Sequence, residues 1–129
     1  MKKPCEYIEI GGKSYPLRIT TKGMVELETL TKKSPSKWVM SLYDSVETLA
    51  TFYRVALQTQ TDINTMDEVY SLFDDYIDNG GTVDDLSEKM CDVLVCAGIL
   101  RAEANSLLKK QLEKSLEAQR KALMETTEN

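Results

Sequence analysis

The sequence predicts an α+β fold that is mainly α: an N-terminal β-hairpin packed on about four helices, with an extended C-terminal helix. Three observations favour this fold class. Two short alternating segments flank Gly11-Gly12, which is typical of a hairpin with a two-residue turn. Apolar residues then recur at spacings of three and four through the middle of the chain. The last residues, 101–129, are rich in Leu, Lys, Glu, Ala and Gln, which favour helix.

The hairpin is predicted around the Gly-Gly turn. Tyr15, Leu17 and Ile19 alternate with Ser14, Pro16 and Arg18, so the second strand has one apolar face. Proline cannot donate a hydrogen bond to a strand ladder, which indicates that this strand lies at a sheet edge. An isolated hairpin is marginally stable in water, so we expect it to pack on the helices that follow.

Two helices are predicted between the hairpin and residue 58. Thr20 or Thr21 caps the first, which ends before Pro35 because a residue preceding proline disfavours helix. The second begins at Ser36 and continues for about five turns, as apolar spacing indicates. The residues that form its apolar stripe are Val39, Leu42, Val46, Leu49, Tyr53 and Leu57. Other apolar residues lie off this stripe, so the helix either lies at the centre of the domain or keeps an apolar patch for a partner; they are Trp38, Tyr43, Ala50 and Phe52.

Two further helices are predicted before residue 100. Thr65 and Glu68 have the spacing of a capping box at the start of the third helix, and Asn79-Gly80-Gly81 is a strong stop signal. Thr82 starts the fourth helix. Gly98 interrupts its apolar stripe at a cost of about 1 kcal/mol relative to alanine.

The C-terminal part of the chain has a different composition, so we expect a globular domain over 1–100 and a charged helical extension over 101–129. Leu108, Leu112 and Leu116 form a narrow apolar row in this extension. It is either a solvated helix or one side of a helix–helix contact. If Gly98 is tolerated, a single helix would run from about residue 83 to about residue 124. Such an arm favours self-association, so we expect a homo-oligomer.

The residue types available do not favour catalysis. The chain has no histidine, which removes the commonest general base near neutral pH. Its three cysteines form an odd, sparse set that predicts neither a disulfide framework nor a zinc site. The acidic pairs Asp74–Asp75 and Asp84–Asp85 are adjacent on helices, where neighbouring side chains point apart. We therefore expect a non-enzymatic protein without catalytic residues, metal or cofactor.

The charge distribution bears on the class of partner. Residues 62–100 contain ten acidic side chains and one basic side chain, Lys89. Nucleic acid and anionic membrane surfaces both attract basic surfaces, so neither is expected as a partner. The chain has no apolar run near the roughly 18 residues of a membrane span, and no apolar signal core at its start, so a cytoplasmic location is expected.

The segment IEIGGKSYPLRITTKGMVELE, followed by Trp- and Leu-containing helices and an acidic helix before DVLVCAGI, resembles the tail assembly chaperones of long-tailed (siphovirus-type) bacteriophages and prophages. Their pattern is a strand, a short Gly turn, K-x-Y-x-L-R, a Thr before a helix carrying ELE, and three further helices. Residues 6–100 match it in order and spacing. The most telling positions are Gly11, Gly12, Tyr15, Leu17, Arg18, Glu26, Leu27 and Glu28.

The resemblance implies a chaperone that binds the phage tape measure protein in the host bacterial cytoplasm and keeps it soluble until the tail tube polymerises. Such a protein is not retained in the mature virion. The tail tube protein is a second candidate partner. In this family a ribosomal frameshift often produces a longer form, and residues 101–129 are similar to the ordinary tail of the short form.

A protein that holds a long helical partner should offer exposed apolar strips. The candidate partner-binding residues are those off the predicted stripe of the second helix and those in the C-terminal row: Trp38, Tyr43, Phe52, Leu108, Leu112 and Leu116. The alternative is a phage morphogenesis or adaptor protein that binds a basic protein through the acidic face of residues 67–78. Asp74, Asp75 and Asp78 favour this alternative, because the helix dipole disfavours negative charge in a last turn.

Overall fold

The computed structural model describes residues 6–127, with the side chains of 102, 103, 105, 106, 108 and 125–127 outside the described part. A two-stranded antiparallel hairpin is followed by six α-helices, which confirms the α+β, mainly α class. The elements are β1 (Glu6–Ile10), β2 (Lys13–Leu17), α1 (Thr21–Thr31), a 3-10 turn (Pro35–Lys37), α2 (Trp38–Ser41), α3 (Val46–Gln58), α4 (Met66–Asp78), α5 (Val83–Cys96) and α6 (Ala102–Thr127).

The hairpin forms as predicted, with Ile10 paired to Lys13 across the turn. Gly11 and Gly12 have φ of 58° and 82°, the positive values that a type I′ turn requires at both central positions. The apolar residues of its inner face, Ile8, Ile10, Leu17 and Ile19, are buried against the helices. Directly after β2, the backbone N–H of Arg18 donates to the carbonyl of Ala56 at 3.0 Å, which attaches the hairpin to α3.

Helix α1 begins and ends where the sequence indicates. Thr20 accepts a hydrogen bond from the backbone N–H of Gly23 at 3.1 Å, and Lys32 ends the helix in the left-handed region. A Cβ atom at Gly23 would lie 3.0 Å from Val55 Cγ1. The absence of a side chain at this position therefore lets α1 pack closely on α3.

The second predicted helix is wrong as a continuous element. The chain turns at residues 42–45, and Ser45 caps the new helix α3 by accepting from the backbone N–H of Thr48 at 3.1 Å. Val46 is consequently 50% exposed, although the predicted stripe placed it in the core. Spacings of three and four persist across a tight turn between two helices, so apolar periodicity alone did not reveal the break.

The caps of α4 and α5 differ in detail from expectation. Thr65 accepts from the backbone N–H of Glu68, but the Glu68 carboxylate accepts from the Thr65 hydroxyl at 2.8 Å rather than completing the predicted capping box. At α5 both halves of a capping box form between Thr82 and Asp85. Each helix start is therefore fixed by a threonine, as predicted.

Helix α3 lies at the centre of the core. It contacts β2, α1, α4 and α5. Tyr53 stacks edge-on against Phe73 of α4 with ring centroids 5.2 Å apart, and its hydroxyl donates to the carbonyl of Leu86 in α5 at 2.6 Å. One buried side chain therefore joins three helices.

Helix α6 is separate from α5, so a single helix from 83 to 124 does not form. Gly98 has φ of 81° and lies in the turn that ends α5. Lys109 then pairs with Asp92 of α5 at 2.8 Å and holds the first half of α6 against the body. The helix is about 39 Å long at 1.5 Å per residue, and residues 113–124 are exposed.

Two cysteines in α5 have different states. Cys91 is a buried free thiol, and burial raises its pKa. Cys96 is disulfide-bonded, so the prediction of no disulfide is wrong at this residue.

Within residues 6–127 no helix is both long and apolar enough to cross a membrane.

Candidate partner-binding groove

Two of the predicted partner-binding residues lie in the core instead. Trp38 and Phe52 are fully buried, with ring centroids 5.6 Å apart in an edge-to-face pair. The indole Nε1–H of Trp38 donates to the carbonyl of Lys33 at 3.1 Å, which satisfies its one polar atom. The break at residues 42–45 makes α2 and α3 independent helices, so residues off one continuous stripe can both face the core. The prediction that these two side chains form a contact surface is corrected.

Tyr43 and Leu112, which are far apart in sequence, meet at one depression. Its volume is about 240 Å³, and its lining is mostly apolar. One side of its lining comes from α2 and the turn that follows it, with Val39, Met40 and Tyr43. The other side comes from α6, with Gln111, Leu112 and Ser115. Met40 is 65% exposed, and it was not among the residues predicted to bind a partner.

A second depression adjoins the first at Tyr43. It has a volume of about 260 Å³ and is formed where the turn before α3 meets the first turn of α5. Val46 and Val83 supply exposed apolar surface there. Its lining residues are Leu42, Tyr43, Asp44, Ser45, Val46, Val83, Asp84 and Ser87. We call the two depressions together the Tyr43 groove.

The Tyr43 side chain is the shared wall of the groove. Its ring is half-buried, and its hydroxyl lies 3.9 Å from Cys91 Sγ. Burial raises the pKa of Tyr43 well above its ordinary value, and the negative charges of Glu88 and Asp84 raise it further. The hydroxyl is therefore protonated at neutral pH, and it lies against the buried Cys91 thiol.

The leucine row of α6 continues away from the groove. Leu112 is half-buried, whereas Leu116 is 45% exposed. Leu123 and Met124 extend the exposed apolar surface beyond the predicted row. The side chain of Leu108 lies outside the described residues, so its predicted role stays a prediction. The exposed apolar surface of the groove therefore continues along the outer half of α6.

The acidic face of residues 67–78 is present on α4. Asp67, Glu68, Asp74, Asp75 and Asp78 are all exposed, and the helix contains no basic residue. In the part of the chain that the structure describes, none of these carboxylates forms an ion pair.

Among all the residues that the structure describes, no group of three or more His, Cys, Asp or Glu side chains is arranged to hold a metal ion.

The residues that carry the phage resemblance build the scaffold rather than the groove. Leu17 and Leu27 are buried, and Glu26 pairs with Arg54 of α3 at 2.9 Å. Gly11 and Gly12 form the hairpin turn. None of these positions lines the Tyr43 groove, so the motif accounts for how the hairpin and α1 attach to α3.

Comparison of the chain with protein-family models, curated proteins and solved structures finds no match. The function must therefore be inferred from the groove, from the exposed surfaces and from the resemblance in the sequence.

Proposed function

We propose that the protein is a non-catalytic tail assembly chaperone of a long-tailed phage, which binds the tape measure protein in the host cytoplasm and keeps it soluble until the tail tube polymerises. The observation that carries the proposal is the Tyr43 groove, in which exposed apolar side chains of Met40, Val46 and Val83 surround a half-buried tyrosine. The tape measure protein is proposed as the partner because residues 6–100 resemble tail assembly chaperones in their sequence pattern.

The dimensions of the groove suit protein side chains. Each depression, at about 240 and about 260 Å³, is smaller than the roughly 300–1,000 Å³ of a typical small-molecule pocket. Two depressions that share Tyr43, one mostly apolar and one lined by both apolar and acidic residues, instead suit successive side chains on one face of a helix. A long helical protein that exposes apolar residues before assembly has such faces.

The test is co-expression with the tape measure protein encoded by the same phage, followed by size-exclusion chromatography. The proposal predicts that the tape measure protein becomes soluble and co-elutes with the chain. It is overturned if the tape measure protein still precipitates while this protein elutes alone. Purified virions should lack the chain, because a chaperone leaves before the particle is complete.

A matched pair of variants ties the activity to the groove. Met40→Glu places a charge on the apolar wall, and Val25→Glu places the same charge on α1, where the native side chain is 58% exposed and outside the groove. Both native residues are exposed, so both variants should fold. We expect only Met40→Glu to lower the yield of soluble tape measure protein.

Self-association is part of the proposal. The exposed residues Leu116, Leu123 and Met124 give α6 an apolar surface that a second copy of the chain could cover. Sedimentation of the purified protein should detect an oligomer, and Leu116→Lys should shift it toward the monomer. A strictly monomeric wild-type protein at high concentration would contradict this part.

A second candidate function is an adaptor that binds a basic protein through the acidic face of α4. The observation that favours it is the exposed set of five carboxylates without a basic neighbour on the helix. An adaptor would remain in purified virions, whereas a chaperone would not. Mass spectrometry of the particle therefore separates the two functions.

A further inference from the structure

The Tyr43 groove has charge at only one of its ends. Asp44 and Asp84 line the depression beside α5, and the depression beside α6 is lined by uncharged residues, among them Gln111 and Ser115. The carboxylate of Asp44 pairs with Lys33 at 3.0 Å. Asp84 is exposed and forms no ion pair with any residue that the structure describes. Its negative charge is therefore available to a partner.

The electrostatic environment at the centre of the groove is consistent with this asymmetry. Besides the Cys91 thiol, the charged groups that act on the Tyr43 hydroxyl are the carboxylates of Glu88 and Asp84, and both raise its pKa. Both carboxylates belong to α5, so their negative charge acts on the hydroxyl from the α5 side of the groove. A partner that places a carboxylate there would be repelled, and one that places an ammonium or guanidinium group there would be attracted.

We propose that the segment of the tape measure protein that occupies the Tyr43 groove is an amphipathic helix that lays its apolar face over Met40 and Tyr43 and presents a basic side chain to Asp84. This inference rests on the proposed function and adds the chemistry of the bound segment. Apolar anchors supply most of the affinity in a helix-in-groove contact. The basic residue selects the segment and fixes its direction along the groove, because only one end is acidic.

Two synthetic helical peptides test the charge requirement. Both are 18 residues long and carry the same stripe of leucines and alanines, and they differ only in having lysines or glutamates beside one end of that stripe. Binding to the full-length protein is measured by fluorescence anisotropy. We expect the lysine peptide to bind about two- to five-fold more tightly, the range that an exposed ion pair gives, and this preference should shrink in high salt. Equal affinity for the two peptides overturns the inference.

A charge reversal at the acidic end is the decisive variant. With Asp84→Lys, the glutamate peptide should bind more tightly than the lysine peptide. An unfolded variant would lose affinity for both peptides, so misfolding cannot produce this gain. Asp74→Lys makes the same change on α4, outside the groove, and controls for net charge. We expect it to leave the order unchanged. If both reversals alter the preference equally, the attraction is general and the inference fails.

Two outcomes separate this inference from the function on which it rests. If the tape measure protein is solubilised but Asp84→Lys leaves the peptide order intact, the chaperone function stands and the charge assignment fails. If the lysine peptide binds as expected but the tape measure protein is not solubilised, the groove still recognises a basic helix and the partner is a different protein. That result overturns the identity of the occupant.

Discussion

Arg54 of α3 donates from Nη2 to Glu26 Oε1 of α1 at 2.9 Å, while Gln58 Nε2 donates to the other carboxylate oxygen at the same distance. The Glu26 carboxylate is thus bound on both oxygens by one face of α3. Glu26 lies one helical turn after Gly23, where a Cβ atom would come within 3.0 Å of Val55 on α3. The contact gives the first glutamate of the ELE segment, Glu26, a physical role in attaching α1 to α3.

This contact should contribute measurably to stability. In a double-mutant cycle of Glu26→Gln and Arg54→Met, we expect a coupling energy of about 0.5–1 kcal/mol, because the pair is only partly buried. Urea unfolding at pH 7 measures each of the four proteins. If the losses in the free energy of unfolding of the two single variants simply add up to the loss in the double variant, the pair does not stabilise the fold.

The same carboxylate should produce a pH dependence. The hydrogen bond from Gln58, together with the bond and charge of Arg54, holds the pKa of Glu26 below its ordinary value of 4.5, against the opposing effect of burial. A lowered pKa in the folded state stabilises the protein above pH 4.5, and this gain is lost as the pH falls through the lowered pKa. Stability measured from pH 6 to pH 3 should fall less steeply in Glu26→Gln than in the wild type. Glu28→Gln, on the exposed side of α1, should follow the wild-type curve.

The buried hydroxyl of Tyr53 gives a second stability prediction. Its removal in Tyr53→Phe takes away the 2.6 Å hydrogen bond to the carbonyl of Leu86 without opening a cavity. We expect a loss of about 1–2 kcal/mol in the free energy of unfolding. Tyr70→Phe, at a side chain that is 38% exposed, should change it by less than about 0.5 kcal/mol. Equal effects of the two substitutions would contradict the assigned role of this bond.

Trp38 should behave as a core residue and not as a binding residue. Trp38→Ala removes a fully buried ring that packs on Phe52, so we expect a loss of about 3–5 kcal/mol and a lower Tm. Met40→Ala, two residues away and exposed, should leave the Tm nearly unchanged. A Trp38→Ala protein of wild-type stability that loses only partner binding would reinstate the original sequence hypothesis.

Much of the fold could be predicted because its signals are local. The Gly-Gly turn, the threonine caps and the stop at Asn79-Gly80-Gly81 each depend on a few neighbouring residues, and all of them form. The break between α2 and α3 was missed, because the apolar spacing continues through it. The available signal was Ser45 followed by Glu47, which is typical of a helix start, and Ser45 does cap α3.

The groove could be predicted only in part, because it depends on tertiary packing. Tyr43 and Leu112 were named from the sequence, yet nothing in their spacing indicates that α6 folds back beside α2. Trp38 and Phe52 were assigned to a contact surface because they lie off the predicted stripe, but the break between α2 and α3 and the central position of α3 bury both rings. Val46 was predicted to be in the core because its spacing fits the stripe, but it is exposed as the first residue of α3. Met40 and Val83 were assigned to neither core nor surface, because a single apolar residue does not indicate its own exposure.

Site-specific photo-crosslinking tests most directly whether the Tyr43 groove holds the tape measure protein. A benzophenone side chain is placed at position 40 in the groove, or at position 25 on α1 as the control, and each protein is irradiated with the co-expressed tape measure protein. We predict a crosslinked product from position 40 and little or none from position 25. Crosslinking to the tape measure protein from position 25 alone, or equally from both positions, would contradict the assignment of the groove as the binding surface.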